Sequence, residues 1–258
     1  MYRPLVSVVI PAYNEEGYIA DCLRSLKEQD YQGQIEIIVV DNNSTDATTR
    51  IAKEMDAVVV FESMRGVCAA RQTGTLRAKG EVIISTDADT IYPAGWVRNF
   101  IDVFASDENI MAVAGPCTFS DGPWYGKLFV DSYYRFQAFI YRYFKFVLSI
   151  PGCNTAFRKT AWRGYNVNLH AAGDEIVFLK DLKMAGRVVF LPENMVYSSG
   201  RRAEKGFFYN IFVTLLWYYL FDYILGRITG KSILGAYPAI RTKPKSHKPS
   251  ISPMKISD

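Results

Sequence analysis

Histidine is almost missing from the 258 residues, with His170 and His247 the only two, and the four cysteines, Cys22, Cys68, Cys117 and Cys153, show no C-x-x-C spacing. That scarcity excludes a spaced zinc site and a disulfide framework, and reduced, mostly buried thiols are expected. No G-x-G-x-x-G follows the first apolar run and no G-x-x-x-x-G-K-[ST] occurs anywhere, which removes the dinucleotide fingerprint and the P-loop. Met1-Tyr2-Arg3-Pro4 leads straight into a strand pattern without the charged and apolar regions of a secretory signal, so a cytoplasmic protein is expected.

What is present is a large apolar fraction, 49 % of residues, enough for one sizeable α/β domain with an appendage. The formal charge of +4 conceals a split: residues 1–120 carry 10 basic and 17 acidic residues, and residues 121–258 carry 20 and 9. A basic second part is suited to lipid headgroups, phosphates or an acidic acceptor, or is simply a solvated surface. Nothing points to nucleic acid.

The chain is organised around Gly80 to Thr90, where Val82, Ile83, Ile84 and Thr86 run into Asp87-Ala88-Asp89. A short apolar run of this kind reads as an interior strand of a parallel sheet, and ligands in such sheets sit beyond the carboxyl ends of the strands. Two carboxylates one residue apart repel each other, and a hard divalent cation relieves that repulsion while leaving room for phosphate oxygens. The plainer reading is a pair of acids capping the next helix.

Around that motif, Leu5 to Ile10, Ile35 to Val40 and Val58 to Phe61 read as strands. The expected helices begin at an Asn14 N-cap, follow Asn42 to Asp46 through Met55, and span Val67 to Ala78. Four alternations of strand and helix predict a parallel sheet with right-handed crossovers. A helix from Gly95 to Asp107 and a strand from Ile110 to Ala114 follow. Asp41, Asp87 and the Pro11-Ala12-Tyr13 turn then share one rim.

The segments Val8 to Glu15, Val39 to Asp46 and Thr86 to Asp89, with Gly66, Ala70-Arg71-Gln72, Gly74 and Gly80-Glu81 between the last two, resemble the nucleotide-sugar half of family 2 glycosyltransferases. The resemblance implies a GT-A fold, Rossmann-like and mostly parallel, flanked by helices. It implies that Ala12, Tyr13, Glu15 and Asp41 line the base and ribose, that Arg71 lies near the base, and that Asp87 and Asp89 flank Mg²⁺ or Mn²⁺ on the diphosphate. Pro11 and Ala88 fall in the same donor-binding set.

Lys127 to Ser149 is amphipathic in a different way: at about 100° per residue, Phe129, Tyr133, Phe136, Ile140, Phe144 and Val147 share one side, with Asp131, Arg135, Arg142 and Lys145 opposite. Either the apolar side packs on the sheet or in a homodimer, or it lies in a membrane interface. The packed arrangement is the favoured expectation. Pro151 to Lys159, which includes Asn154, resembles the acceptor-side segment of the same family. Asp174-Glu175 matches its acidic pair in inverted order, with Glu175 favoured as the base and Asp174 close behind. A carboxylate can take the acceptor proton as it attacks; two acids capping a helix are the plain alternative. Asn154, Arg201 and Arg202 are expected at the acceptor or the leaving diphosphate, and the two arginines suit headgroups equally.

Phe207 to Leu225 is a 19-residue aromatic and aliphatic run interrupted by Asn210, Thr214 and Asp222, which suits an interfacial or core helix better than a bilayer span. Arg241 to Asp258, with five basic residues, is expected to be disordered. Four regions follow: a donor half at 1–120, an acceptor half at 121–202, an aromatic membrane-associating or oligomerising segment at 203–240, and a basic tail at 241–258. The chain is thus expected to be a metal-dependent, inverting transferase. It would take a nucleoside-diphosphate sugar and act on a lipid-linked or cell-envelope glycan, peripherally at the inner face of the cell membrane. The alternatives are a sugar-phosphate nucleotidyltransferase, which lacks its Gly-rich basic loop here, and a catalytically silent nucleotide-sugar-binding scaffold.

Overall fold

The computed structural model describes residues 2–167 and 173–206, with side chains in the second stretch from residue 175 onward. His170, the Phe207 to Leu225 run and the basic tail lie outside the described residues.

β-Branched and apolar residues dominate the first strand, β1 (Val6–Ala12), and its alternation feeds two cores at once. Val6, Val8 and Ile10 face the helices α1 (Ile19–Lys27) and α4 (Trp96–Ser106), where they meet Leu23, Trp96, Phe100 and Phe104. Val9 faces the other side with Ala70 of α3 (Val67–Arg77) and Phe178 and Leu182 of α6 (Gly173–Ala185). β2 (Ile35–Asp41), β3 (Val58–Phe61) and β4 (Val82–Ser85) pair in parallel, with α2 (Thr48–Glu54) on the crossover between β2 and β3. All four residues of β4 are buried, as an interior strand requires.

The seven-stranded sheet has the order β3-β2-β1-β4-β8-β6-β9, where β6 is Ile110–Ala114, β8 Thr155–Arg158 and β9 Arg187–Phe190. β8 is antiparallel to both neighbours and inserts between β4 and β6, so residues from beyond 120 complete the donor half's sheet. β5 (Thr90–Ile91), β7 (Cys117–Phe119) and β10 (Val196–Ser198) form a second small sheet, order β5-β10-β7, just past the end of β4. The sequence pattern anticipates neither β8 nor the small sheet. Strands of two or three residues leave too short a periodicity to read, and β8, four residues long, stands inside a stretch without alternation.

Two expectations are corrected. Asn14 is not an N-cap: its backbone is left-handed at φ 53°, and α1 begins five residues later at Ile19. The amphipathic helix is α5 (Trp124–Phe144), and it turns its apolar side outward, with Phe129 64 %, Phe136 56 % and Phe144 69 % exposed. Gly126 and Gln137 are buried instead. Gln137 holds the chain after the helix by accepting from Ser149 N–H at 3.3 Å and donating to Ser149 O at 3.0 Å. Lys145, left-handed at φ 52°, ends the helix.

Gly74 shows how closely α3 rides on the sheet, because a Cβ there would sit 2.3 Å from Val9 Cγ1 and 2.9 Å from Val40 Cγ2. Gly74→Val is expected to lower unfolding free energy by about 1–3 kcal/mol through overpacking, read from denaturant melts.

Candidate active site

The rim beyond β1, β2 and β4 is built from turns that hydrogen-bond to one another. Asp41, at the end of β2, accepts from Ser44 N–H at 2.9 Å and is 8 % exposed. Asn14 accepts from Thr45 N–H at 2.7 Å, while Asn42 N–H donates to Ala12 O at 2.8 Å. Tyr13 is half-buried beneath the Arg65 guanidinium, 5.3 Å from its ring centre. The Pro11-Ala12-Tyr13 turn and Asp41 therefore share one edge, as expected.

Glu15 is buried. Its N–H donates to Thr48 Oγ1 at 2.7 Å, and its carboxylate receives both arms of Arg201 at 2.7 and 2.8 Å. Arg201 also reaches Asp89 Oδ2 at 2.8 Å and lies over the Tyr18 ring at 4.6 Å. It is 5 % exposed. Burial alone would lower its pKa, but the Glu15 bond, with Asp89 adding, raises it above its ordinary value, so the guanidinium stays charged. Glu15, expected along a base and ribose, and Arg201, expected on an anion, are here bonded to each other, with Asp89 as the second partner of Arg201.

Asp87 is held by the second buried arginine, with Arg71 Nη2 3.0 Å from its Oδ1. Its N–H donates to Tyr92 Oη at 3.1 Å. Desolvation pushes the Asp87 carboxyl above the usual range and Asp89 pushes the same way, while Arg71 and Arg202 pull it down. Asp89 accepts from Ser198 Oγ at 3.3 Å, and Ala88 between the two acids is buried. Arg202 is exposed beside this cluster.

Glu175, at the start of α6, accepts from Gly152 N–H at 2.8 Å. It lines a small cavity with Arg71, Ser85, Gly152 and Tyr165. Gly152 leaves room for the Arg71 guanidinium: a Cβ there would fall 2.2 Å from it, so a side chain at this position would displace the arginine. Arg71 is thus the link between the Asp87 carboxylate and the Glu175 cavity. Asp174 lies in the same helix, with its side chain outside the described residues.

Asn154 lies in the interior. Expected at the acceptor or diphosphate, it is fully buried; it accepts from Trp96 Nε1 at 2.7 Å and donates to Pro116 O and Asn194 O. Both amide hydrogens and the amide oxygen are used in joining the start of β8 to α4, to the turn after β6 and to the turn before β10. The residues that sequence reasoning missed are Tyr18, Thr48 and Ser198, whose partners Arg201, Glu15 and Asp89 are remote in the chain, and Tyr92, which bonds the Asp87 backbone five residues back across the turn.

Among the described residues no group of three or more His, Cys, Asp or Glu side chains could enclose a metal alone. Asp87 and Asp89 do fit a cation that takes its remaining ligands from a phosphate-bearing substrate, since both are hard oxygen donors and the Asp87 side chain is 38 % exposed, open to a further ligand.

The profile of glycosyl transferase family 2 matches residues 7–164. The chain is 33 % identical over 137 residues to glycosyltransferase GlyA of Streptococcus pneumoniae serotype 4, covering 50 % of this chain and 20 % of that one. It is 31 % identical over 109 residues to glycosyltransferase AglE of Haloferax volcanii, covering 40 % and 36 % respectively. The chain therefore spans only a minor part of the length of either relative. Among solved structures it resembles the mannosyltransferase PcManGT from Pyrobaculum calidifontis, in complex with GDP-Man and Mn²⁺, at 25 % identity and TM-score 0.59 over 77 % of this chain and 58 % of that one. S. aureus TarS in complex with UDP-GlcNAc, at 20 % identity and TM-score 0.60 over 76 % and 58 %, shares the fold.

Arg201→Ala strands a buried Glu15 and deprives Asp89 of its partner. A loss of about 3–5 kcal/mol in unfolding free energy is expected, and Glu15→Leu/Arg201→Met should recover part of it, both read from denaturant melts.

Proposed function

The chain belongs to glycosyl transferase family 2, and from that premise we propose that it moves a sugar from a nucleoside-diphosphate sugar to an acceptor hydroxyl, with inversion at the anomeric carbon and with Mg²⁺ or Mn²⁺ at Asp87 and Asp89. One observation carries the reading: Arg71 joins the Asp87 carboxylate, 3.0 Å away, to the cavity that Glu175 lines. Arg71, the cation beside the diphosphate-holding Asp87, and Glu175, the group for taking a proton, thereby face one small space.

In this reading the turns carrying Ala12, Tyr13 and Asp41 receive the nucleoside, and Asp87 and Asp89 fix the diphosphate end. When bound, the cation neutralises charge developing on the departing diphosphate. Glu175, oriented by the Gly152 N–H, accepts the acceptor's proton as its oxygen attacks; Asp174 on the same helix is the alternative base. Arg71 and the exposed Arg202 add positive charge beside the leaving group. PcManGT, bound to GDP-Man and Mn²⁺, lends support for this donor class and for the cation. The acceptor is proposed to be a lipid-linked or cell-envelope glycan reached at the inner face of the membrane.

Glu175→Gln keeps an acceptor for the Gly152 N–H and removes the base. Nucleoside-diphosphate release from UDP- and GDP-sugars should fall about 10²- to 10⁴-fold with donor affinity unchanged, and the product anomer, read by NMR, should be inverted. Unchanged turnover would remove Glu175 from the chemistry, and retained configuration would overturn the single displacement.

The raised Asp87 carboxyl gives the pH dependence its sign. Protons compete with the cation, so Mn²⁺-dependent donor affinity should weaken with falling pH from above the ordinary carboxylate range. The cation-free protein gains stability over the same interval, because its native state binds the proton more tightly than the unfolded chain. Titration calorimetry and melts across pH measure the two opposite slopes.

A further inference from the structure

Helix α5 buries Gly126 and Gln137, packs Tyr134 and Tyr141 on Phe190, and offers most of its other large aromatics to solvent. Trp124, Leu128, Phe129, Phe136, Phe139 and Tyr143 are between 53 % and 77 % exposed. At about 100° per residue they occupy one half of the helix surface, with Arg135 and Arg142 along one edge. The inward half carries Gly126, Tyr134, Gln137 and Tyr141. A contiguous apolar patch of this size on a domain surface marks a contact with something outside it.

We propose that the outward face of α5 is a docking surface for the interface of an anionic lipid bilayer. The helix's charge selects that occupant. Its only acid, Asp131, is turned inward, 18 % exposed and bonded to Thr118 Oγ1. Lys127, which pairs with Asp131, and Arg135, Arg142 and the cap residue Lys145 are all exposed, so the exposed charge on the helix itself is of one sign. A second copy would bring the same basic edge to the interface, whereas an anionic surface complements it. Tryptophan and tyrosine at the rim of an apolar face suit the headgroup level.

The place where the described chain ends points the same way. Tyr125 Oη donates to Ala203 O at 2.8 Å, and a Cβ on Gly126 would touch Ala203 Cβ at 2.7 Å. Residue 206, the last described before the apolar run Phe207 to Leu225, therefore stands near the start of α5. Ala203 is two residues from Arg201, which sets this face beside the candidate site. Among the described residues no helix is long and apolar enough to cross a membrane, so the contact in question lies on the surface. The proposal goes beyond the transferase reading and does not depend on it.

The test uses the full chain with Phe136→Cys carrying an environment-sensitive dye, and the unsubstituted chain labelled in parallel to measure background at the native thiols. Vesicles are phosphatidylcholine alone or phosphatidylcholine with phosphatidylglycerol. Without vesicles the emission should be that of a dye in water. Anionic vesicles should brighten it and shift it to the blue, and zwitterionic vesicles should do so far less. Arg135→Gln and Arg142→Gln should each lower partitioning roughly fivefold, with the circular dichroism spectrum unchanged. Three outcomes overturn the proposal: an apolar emission without lipid at all protein concentrations, meaning that the chain's own 207–225 run covers the face; an apolar emission that appears only as concentration rises, meaning a second copy; or a water-like emission that vesicles leave unchanged.

Discussion

A buried guanidinium binds this molecule together at its working end. Arg201 grips Glu15, from the turn after β1, and Asp89, from the turn after β4, while stacking on Tyr18. The partners are 186 residues apart in the chain, so the bridge forms only when the last described turn has closed over the first. Three charges removed from water are costly unless each is paired, and the arrangement pairs all three. Arg71, also buried, holds the neighbouring Asp87 through one contact at 3.0 Å. Two carboxylates that would repel each other are thereby held at one rim by two cations belonging to the fold.

That constraint bears on how the site would act. Acids that already have fixed positions lose little entropy on taking a further ligand, and Arg71 touches the Glu175 cavity as well as Asp87. On the proposed function, the groups for donor and acceptor are positioned by a shared residue rather than by separate lobes. The sheet makes the same point, since β8, from the acceptor-side segment, lies between β4 and β6.

The fold was legible where periodicity was long. β1, β2 and β4 announce themselves as apolar runs ended by proline or aspartate, and Asp87-Ala88-Asp89 stands out because acids at the end of a buried strand need a reason. Three-residue strands such as β7 and β10 carry too little pattern to read. Asn154 sits in a motif-like stretch, yet its amide is consumed by Trp96 and two backbone carbonyls, contacts that depend on tertiary packing. For α5 the wheel grouped Phe129 with Phe136 but set Arg135 and Arg142 opposite them, whereas all four are exposed and Val147 is buried, so it did not tell which side faces in. Gly126 and Gln137 decide that, through close approach and a hydrogen-bonded turn, and neither shows in hydrophobicity. The Glu15–Arg201 bridge had no signal at all, because nothing local marks an ion pair between the two ends of the described chain.

The central claim is that Asp87 and Asp89 form a cation-dependent nucleoside-diphosphate site. Its most direct test is calorimetric titration of the full chain with UDP- and GDP-sugars, with Mn²⁺ and with chelator, beside Asp89→Ala. The account predicts that one donor binds with Mn²⁺, that chelator abolishes the heat, and that Asp89→Ala abolishes it while the fold survives. Donor binding that is equal with chelator, or indifferent to Asp89→Ala, would contradict it.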